Sequence, residues 1–397
     1  MGILAELSIQ VRKPVIKLVK KPTPCTYIGP GYAKKTGDIL TMLGTEKVLV
    51  LTDGFLGSSG LLDGLLDSIK TAGVDYVLYD GVESDPTFAV VSRAQAAAAG
   101  CDAVVAVGGG SVIDTAKAVA AAVANRCKPE KLIGILKVHK YPLPFIAVPT
   151  TAGTGSETTV AAVISETETH AKKQLLDPKL VPMLAILDPE LTVGLPPHTT
   201  AHTALDALTH ALEAYVAGYA DEETDRQARA AVKLIFHYLP IVRENPEDLK
   251  AREALLVASF FAGLAFTRTY VGYVHAFAHT IGGKFGVPHG LANAVLLPHV
   301  MRYYLPTSHK RCAELAVVTG MADEDMPEKD RAILFVKKLY ELNRMCEIPE
   351  RFENFPASEI DAVIQMAFKE CHGIYPVPRY YTQETARKLL QKVCREE

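Results

Sequence analysis

The sequence predicts an α/β dinucleotide-binding domain, a doubly wound parallel sheet, followed by an all-α metal-binding domain. Three observations carry this. Up to about residue 190, short apolar runs alternate with stretches of helical spacing. After Leu195-Pro196-Pro197 the texture becomes almost purely helical. The residues able to do chemistry divide the same way, into glycine and hydroxyl loops in the first half and Asp/His pairs in the second.

The runs Val48–Leu51, Tyr76–Tyr79, Ala103–Val107, Phe145–Val148 and Leu184–Leu187 are expected as parallel strands. Between them, Leu61–Ala72 and Phe88–Ala99 have helical spacing, and Asp85-Pro86-Thr87 supplies the turn that starts the second. In the second half, residues 199–216, 222–243, 250–265, 329–344, 358–371 and 382–394 are Ala/Leu-rich with helical periodicity. Pro189, Pro196 and Pro197 interrupt regular structure between the halves. Residues 1–193 are therefore expected as the cofactor domain and 194–397 as the helical metal and catalytic domain.

Bulk properties exclude several classes. A chain of 397 residues with 49% hydrophobic and 22% charged side chains is neither disordered, collagen-like nor a coiled coil. With 42 Lys and Arg against 45 Asp and Glu, the net charge of -3 gives no reason to expect nucleic acid as a partner. No apolar run reaches the ~18–20 residues of a membrane span, and the N-terminus lacks a secretory pattern, so the expected compartment is the cytoplasm, with no membrane partner. The basic stretch Arg12, Lys13, Lys17, Lys20 and Lys21 reads as a solvated edge. Seven cysteines without a C-x-x-C pair suit reduced thiols.

Two loops follow strands. Ala103–Val107 runs into Gly108-Gly109-Gly110-Ser111, with Asp114 and Lys117 beyond, a turn without side chains that opens a helix. Its amides and positive helix end suit a diphosphate, although the same glycines also serve a tight turn needing positive φ. Pro149-Thr150-Thr151-Ala152-Gly153-Thr154-Gly155-Ser156-Glu157 follows the next strand. Two such loops at strand C-termini favour a dinucleotide site. Asp53, ending the first run, is placed to accept from an adenosine ribose hydroxyl and repel a 2′-phosphate, which selects NAD over NADP; an Asx turn before Gly54 is the alternative.

In the helical half Asp206 and His210 are four residues apart, as are His275 and His279, and His289 follows ten residues later. Carboxylate and imidazole donors at these spacings suit Fe(II) or Zn(II).

These residues resemble the iron-dependent (group III) alcohol dehydrogenases over nearly the whole chain. The likeness rests on Gly108–Ser111 with Asp114 and Lys117, on Pro149–Glu157, on Leu187–Leu191, on Asp206–Glu213, on Val274–His279 and on Val287–His299. It implies that Asp206, His210, His275 and His289 hold the metal, while His279 sits beside the substrate as the catalytic relay. It further implies that Gly108, Gly109, Gly110 and Ser111 bind the diphosphate, that Thr150, Thr151 and Thr154 line the cofactor site, and that Lys172 reaches the nicotinamide ribose. Ala161 corresponds to a substrate-contacting position, and Phe266 is a candidate for the same pocket. The implied activity is NAD-linked interconversion of a primary alcohol and its aldehyde by a homodimer or larger homo-oligomer. Two alternatives are a dehydroquinate-synthase-type lyase that uses NAD within one turnover and a metal-assisted hydrolase. Arg268 and Arg379 are the basic residues nearest to meeting a substrate carboxylate.

Overall fold

The computed structural model describes residues 8–14, 22–168 and 172–395. Two compact units divide the chain: Lys20–Leu195, and Pro196–Glu397 together with the segment Met1–Val19. The expected boundary after residue 193 lies just before this division. The N-terminal segment is a larger difference, because residues 8–14 form a short helix, α1, in the helical unit rather than in the cofactor domain. Ile9 is buried there, its carbonyl accepts from the Tyr219 hydroxyl, and Arg12 Nη1 donates to the Gly373 carbonyl at 3.1 Å. Those partners lie 210 and 361 positions downstream, beyond the reach of any local pattern. Lys17, Lys20 and Lys21 of the basic stretch lie outside the described residues.

In Lys20–Leu195 the strands are β1 (Cys25–Ile28), β2 (Lys47–Asp53), β3 (Asp75–Val82), β4 (Ala103–Gly108), β5 (Gly134–Ile135), β6 (Phe145–Pro149), β7 (Ala161–Ser165), β8 (Lys172–Leu176) and β9 (Leu184–Leu187). Six make a parallel sheet in the order β1-β9-β6-β4-β2-β3. Four of the five apolar runs fall in β2, β4, β6 and β9, inner strands covered by helices on both faces and therefore apolar along those runs, and the fifth falls in β3, a half-buried edge strand. Val48, Val50, Val105 and Ile146 pack on one side against Leu40 and Ile69, from α2 (Thr36–Met42) and α4 (Asp63–Thr71). Leu49, Leu51, Val104 and Ala147 pack on the other against Val91 of α5 (Phe88–Ala97) and Ile113 of α6 (Gly110–Asn125). A five-residue helix, α3 (Gly54–Ser58), follows β2.

β1 and the small sheet β5-β8-β7 have no counterpart among the expected strands. Their composition explains this: β1 is a mixed edge strand, β5 has two residues, and β8 opens Lys-Lys-Gln. The polypeptide passes from β2 outward to β3, then returns to place β4 on the other flank of β2. The C-terminal ends of β2 and β4 thus border a topological switch point, where open α/β sheets bind ligands.

The helical unit contains α7 (Pro197–Val216), α8 (Glu222–Glu244), α9 (Leu249–Thr269), α10 (Tyr273–Phe285), α11 (His289–Val318), α12 (Glu328–Met345), α13 (Ile360–Cys371) and α14 (Gln383–Val393). Asp221 starts α8 with a reciprocal capping box to Thr224, and Asp248 caps α9 through Ala251 N. α11 carries Pro298 and Pro306 and is kinked at Ser308. Among the described residues no single helix is long and apolar enough to cross a membrane.

Candidate metal centre and cofactor loops

In the α/β unit, the loops after β2, β4 and β6 leave three adjacent strands. Gly108 and Pro149 are register partners, and Thr150 N donates to the Gly108 carbonyl at 3.1 Å. Intrahelical bonding in α6 begins with Val112 and Ile113 donating to Gly109, so Gly110 and Ser111 lie in the first turn with outward amides. The glycines here are set by close approach. A Cβ on Gly110 would lie 2.8 Å from Thr154 Cγ2, and one on Gly108 would lie 2.5 Å from Val112 Cγ2, whereas Gly109 has an ordinary extended backbone at φ −76. Thr151 lies beside Gly109, 3.6 Å from where a Cβ would stand.

A buried charge network fixes the second loop to α6. Lys117 Nζ donates to Thr159 Oγ1 at 2.7 Å, the Ala161 carbonyl at 2.7 Å, the Thr159 carbonyl at 3.0 Å and Ser156 Oγ at 3.2 Å. Asp114, 3.7 Å from the ammonium, accepts from Ser156 Oγ and from Val163 N. Burial pushes Lys117 down to about 8 against the pull of Asp114, and pushes Glu157 up to about 7. Thr154 Oγ1 accepts from Ser156 N inside the loop.

Asp53 Oδ1 accepts from Leu56 N at 2.9 Å and caps α3. The turn and the acidic group at the strand end thus coexist in one side chain. Lys172 Nζ pairs with Asp85 Oδ1 at 2.9 Å, and Asp85 sits at φ 52. Ala161 opens β7, its carbonyl engaged by Lys117.

In the helical unit, one carboxylate and three imidazoles from α7, α10 and α11 converge. Ligand atoms of Asp206, His210 and His275 lie within 4.8 Å of one another. Asp206 Oδ1 is 3.7 Å from His275 Nε2 and 3.4 Å from His289 Nε2. Burial favours a neutral Asp206, but the surrounding imidazoles outweigh it and hold the carboxyl well below the usual range. Burial likewise opposes a charge on His275, yet Asp206 and Glu213 raise it to about 9. Desolvation and the neighbouring imidazoles lower His289. The proton favoured on His275 stands between two carboxylates, in a place suited to a cation, and the donor set fits Fe(II) or Zn(II).

Phe266 stacks on the His210 ring with centroids 4.1 Å apart. His279 lies outside the converging atoms: its Nδ1 is 2.7 Å from Glu370 Oε1, and its ring stacks on His289 at 5.3 Å. Arg268 pairs with Glu223, and Arg379 donates to the Tyr303 carbonyl at 3.1 Å.

The iron-containing alcohol dehydrogenase model matches residues 23–189, and the C-terminal model of the Fe-containing alcohol dehydrogenase family matches 200–394. The chain belongs to the iron-containing alcohol dehydrogenase family. It is 37% identical over 351 residues to the NAD-dependent methanol dehydrogenase of Bacillus methanolicus, covering 87% of this chain and 92% of that one. To the 1,3-propanediol dehydrogenase of Citrobacter freundii it is 36% identical, covering 87% and 90%. The alcohol dehydrogenase from Oenococcus oeni has the same fold, with a TM-score of 0.90, 35% identity and coverage of 94% and 99%.

Within this iron-containing alcohol dehydrogenase, three further residues, Glu213, Asn293 and Glu370, brace the carboxylate and imidazoles of the candidate centre. Glu213 accepts from Gly272 N at 2.6 Å, Val274 N at 2.7 Å and His275 Nδ1 at 2.7 Å. It therefore caps α10 and turns Nε2 of His275 toward Asp206. Gly272 is required by closeness, because a Cβ there would lie 2.7 Å from Glu213 Oε1. Asn293 Nδ2 donates to Asp206 Oδ1 at 2.6 Å, one turn after His289, and Glu370 pairs with His279. The seven-residue spacing from Asp206 to Glu213 puts both carboxylates on one face of α7, which is the signal in the sequence for Glu213.

Proposed function

We propose that in this NAD-linked, iron-type alcohol dehydrogenase and aldehyde reductase, Asp206, His210, His275 and His289 hold the metal and the loops after β2, β4 and β6 bind the cofactor. The convergence of one buried carboxylate with three imidazoles carries the reading. When bound, the divalent ion supplies Lewis acidity that lowers the pKa of an alcohol, and NAD supplies the hydride acceptor. The chain's own groups do the rest. Gly108–Gly110 and Ser111 offer backbone amides to the diphosphate, with Thr150, Thr151 and Thr154 beside them. Asp53 keeps one carboxylate oxygen for a ribose hydroxyl while the other caps α3. Lys172 reaches the nicotinamide ribose. His279 takes the alcohol proton and passes it to water or a ribose hydroxyl, and returns it in the reductive direction.

Phe266 in the helical unit and Ala161 in the α/β unit are the residues assigned to substrate contact; one is aromatic and the other small and apolar, which favours unbranched primary alcohols over small diols. Each added methylene contributes up to ~0.8 kcal/mol until the pocket is full. The engagement of Arg268 and Arg379 with other groups supports the absence of a carboxylate on the substrate. A cytoplasmic homodimer or larger homo-oligomer completes the proposal; seven free thiols among the described residues fit a reducing compartment.

The test uses metal-stripped protein reloaded with Fe(II) or Zn(II), given NAD or NADP, and followed by nicotinamide absorbance. The expected order of kcat/KM is hexanol and butanol above ethanol, with 1,2-propanediol and a 4-hydroxy acid lower. A maximum at the diol or the acid overturns the apolar pocket. Turnover without net NADH points to the lyase, and hydrolysis without nicotinamide points to the hydrolase.

A further inference from the structure

The two histidines of α10 share an arrangement that their different roles do not require. His275 Nδ1 faces Glu213 Oε2 of α7 at 2.7 Å, and His279 Nδ1, one turn later, faces Glu370 Oε1 of α13 at 2.7 Å. An ionised carboxylate only accepts, so in each case Nδ1 carries the hydrogen and Nε2 is left as the working nitrogen. The pairs differ in their access to water. His275 and Glu213 are 2% and 1% exposed, as suits an imidazole that holds a metal, whereas His279 and Glu370 are 29% and 31% exposed, as suits one that exchanges protons with solvent. Glu370 Oε1 is itself held by the Tyr375 hydroxyl, which donates at 2.6 Å from the segment after α13. The His279 ring lies against both ligand rings, stacked on His289 at 5.3 Å and edge-on to His275 at 5.7 Å.

We infer that Glu370, held by Tyr375, is a positioning residue for the reaction: it fixes the ring plane and tautomer of His279 so that Nε2 is the nitrogen presented to the substrate hydroxyl. This rests on the relay role assigned to His279 above. In the oxidative direction the substrate O–H bond breaks and an Nε2–H bond forms, the carbon-bound hydride passes to NAD, and the proton on Nε2 leaves to water. Glu370 takes no part in these exchanges, and it acts only by keeping the ring in one orientation.

A double-mutant cycle on the metal-loaded full chain separates this role from a structural one. Glu370→Ala is expected to lower kcat about 10-fold or more, with KM for NAD within about twofold of the parent and the metal retained. Glu370→Gln is expected within about threefold of the parent, because its amide oxygen accepts the same Nδ1 hydrogen. In a His279→Ala background, Glu370→Ala should change kcat less than about twofold. The inference is overturned if Glu370→Ala is as harmful in that background as alone, if Glu370→Gln is as slow as Glu370→Ala, or if either loses its metal. Should Glu370→Ala fail to fold, Glu370→Gln and Tyr375→Phe with and without His279 decide the matter by the same non-additivity. His279→Ala at parental kcat would remove the relay reading itself, whereas a slow His279→Ala beside a fully active Glu370→Ala would remove only Glu370's part.

Discussion

The proposed cofactor loops and the proposed metal centre are built on opposite principles. In the α/β unit the candidate ligand surface is backbone, shaped by side chains that are missing: Gly110 lets two loops approach to a distance at which a single Cβ would collide with Thr154. In the helical unit the surface is side chain, and it keeps its shape only because further side chains hold it, with Glu213 and Asn293 gripping His275 and Asp206. Both units bury charge to do this, but differently. Lys117 buried among neutral oxygens and Asp114 secures a loop, whereas Asp206 buried among imidazoles makes a place for a cation. A backbone site is damaged by adding an atom, and a side-chain site by removing one.

The largest expected effect follows from removing an atom set. Glu213→Ala strands two buried amides and frees the His275 ring, so it should weaken metal retention 10–100-fold and destabilise the helical unit by a few kcal/mol. Metal analysis after dialysis against a weak chelator, beside thermal unfolding, measures both. Parental metal retention would show that His275 needs no partner to serve as the proposed ligand, and the contrast between the units would weaken.

Adding an atom comes next. Gly110→Ala should raise KM for NAD about 10-fold while kcat and metal content change little, because the new carbon pushes on Thr154. Thr154→Ser removes the methyl nearest that carbon and should recover part of the loss in the double variant. Additive effects of the two changes would break the close-approach argument.

A smaller effect concerns cofactor choice. Asn caps a helix as well as Asp does, so Asp53→Asn keeps α3 while removing the charge. The ratio of kcat/KM for NAD over NADP should fall several-fold with the unfolding midpoint unchanged. Equal ratios in parent and variant would leave Asp53 as a cap only.

The smallest is a pH effect in the loop network. Burial raises Glu157 from 4.5 to about 7, so the folded state binds this proton more tightly than the unfolded chain. Its stabilisation is complete below pH 4.5 and lost as pH rises through about 7. The unfolding midpoint of the parent should therefore drop relative to Glu157→Gln across that window and run parallel above it. Parallel curves throughout would mean that the carboxyl titrates normally.

The same contrast decides what could be read without a structure. Central strands such as β4 and β6 are apolar at every position because both faces are covered, and this shows in runs of six and five consecutive residues. The edge strand β1 and the lysine-rich β8 meet water and carry no such run. Asp206 with His210 was legible because four-residue spacing places both on one helical face. Identical spacing joins His275 and His279, yet only one faces Asp206, and only the family resemblance separated them. Glu370 acts on a residue 91 positions away, and Glu213 on residues 59 to 62 positions away, so their roles depend on helix packing. The contacts of α1 with Tyr219 and Gly373 likewise depend on packing between distant positions.

The division of labour is tested most directly by measuring metal content and NADH binding on the same preparations of two variants, His289→Ala and Gly110→Ala. The expected result is a double dissociation. His289→Ala loses the metal and turnover but binds NADH within about threefold of the parent, and Gly110→Ala keeps the metal but binds NADH about 10-fold more weakly. If His289→Ala loses both metal and NADH, or Gly110→Ala loses its metal, the two sites are not built independently and the account is contradicted.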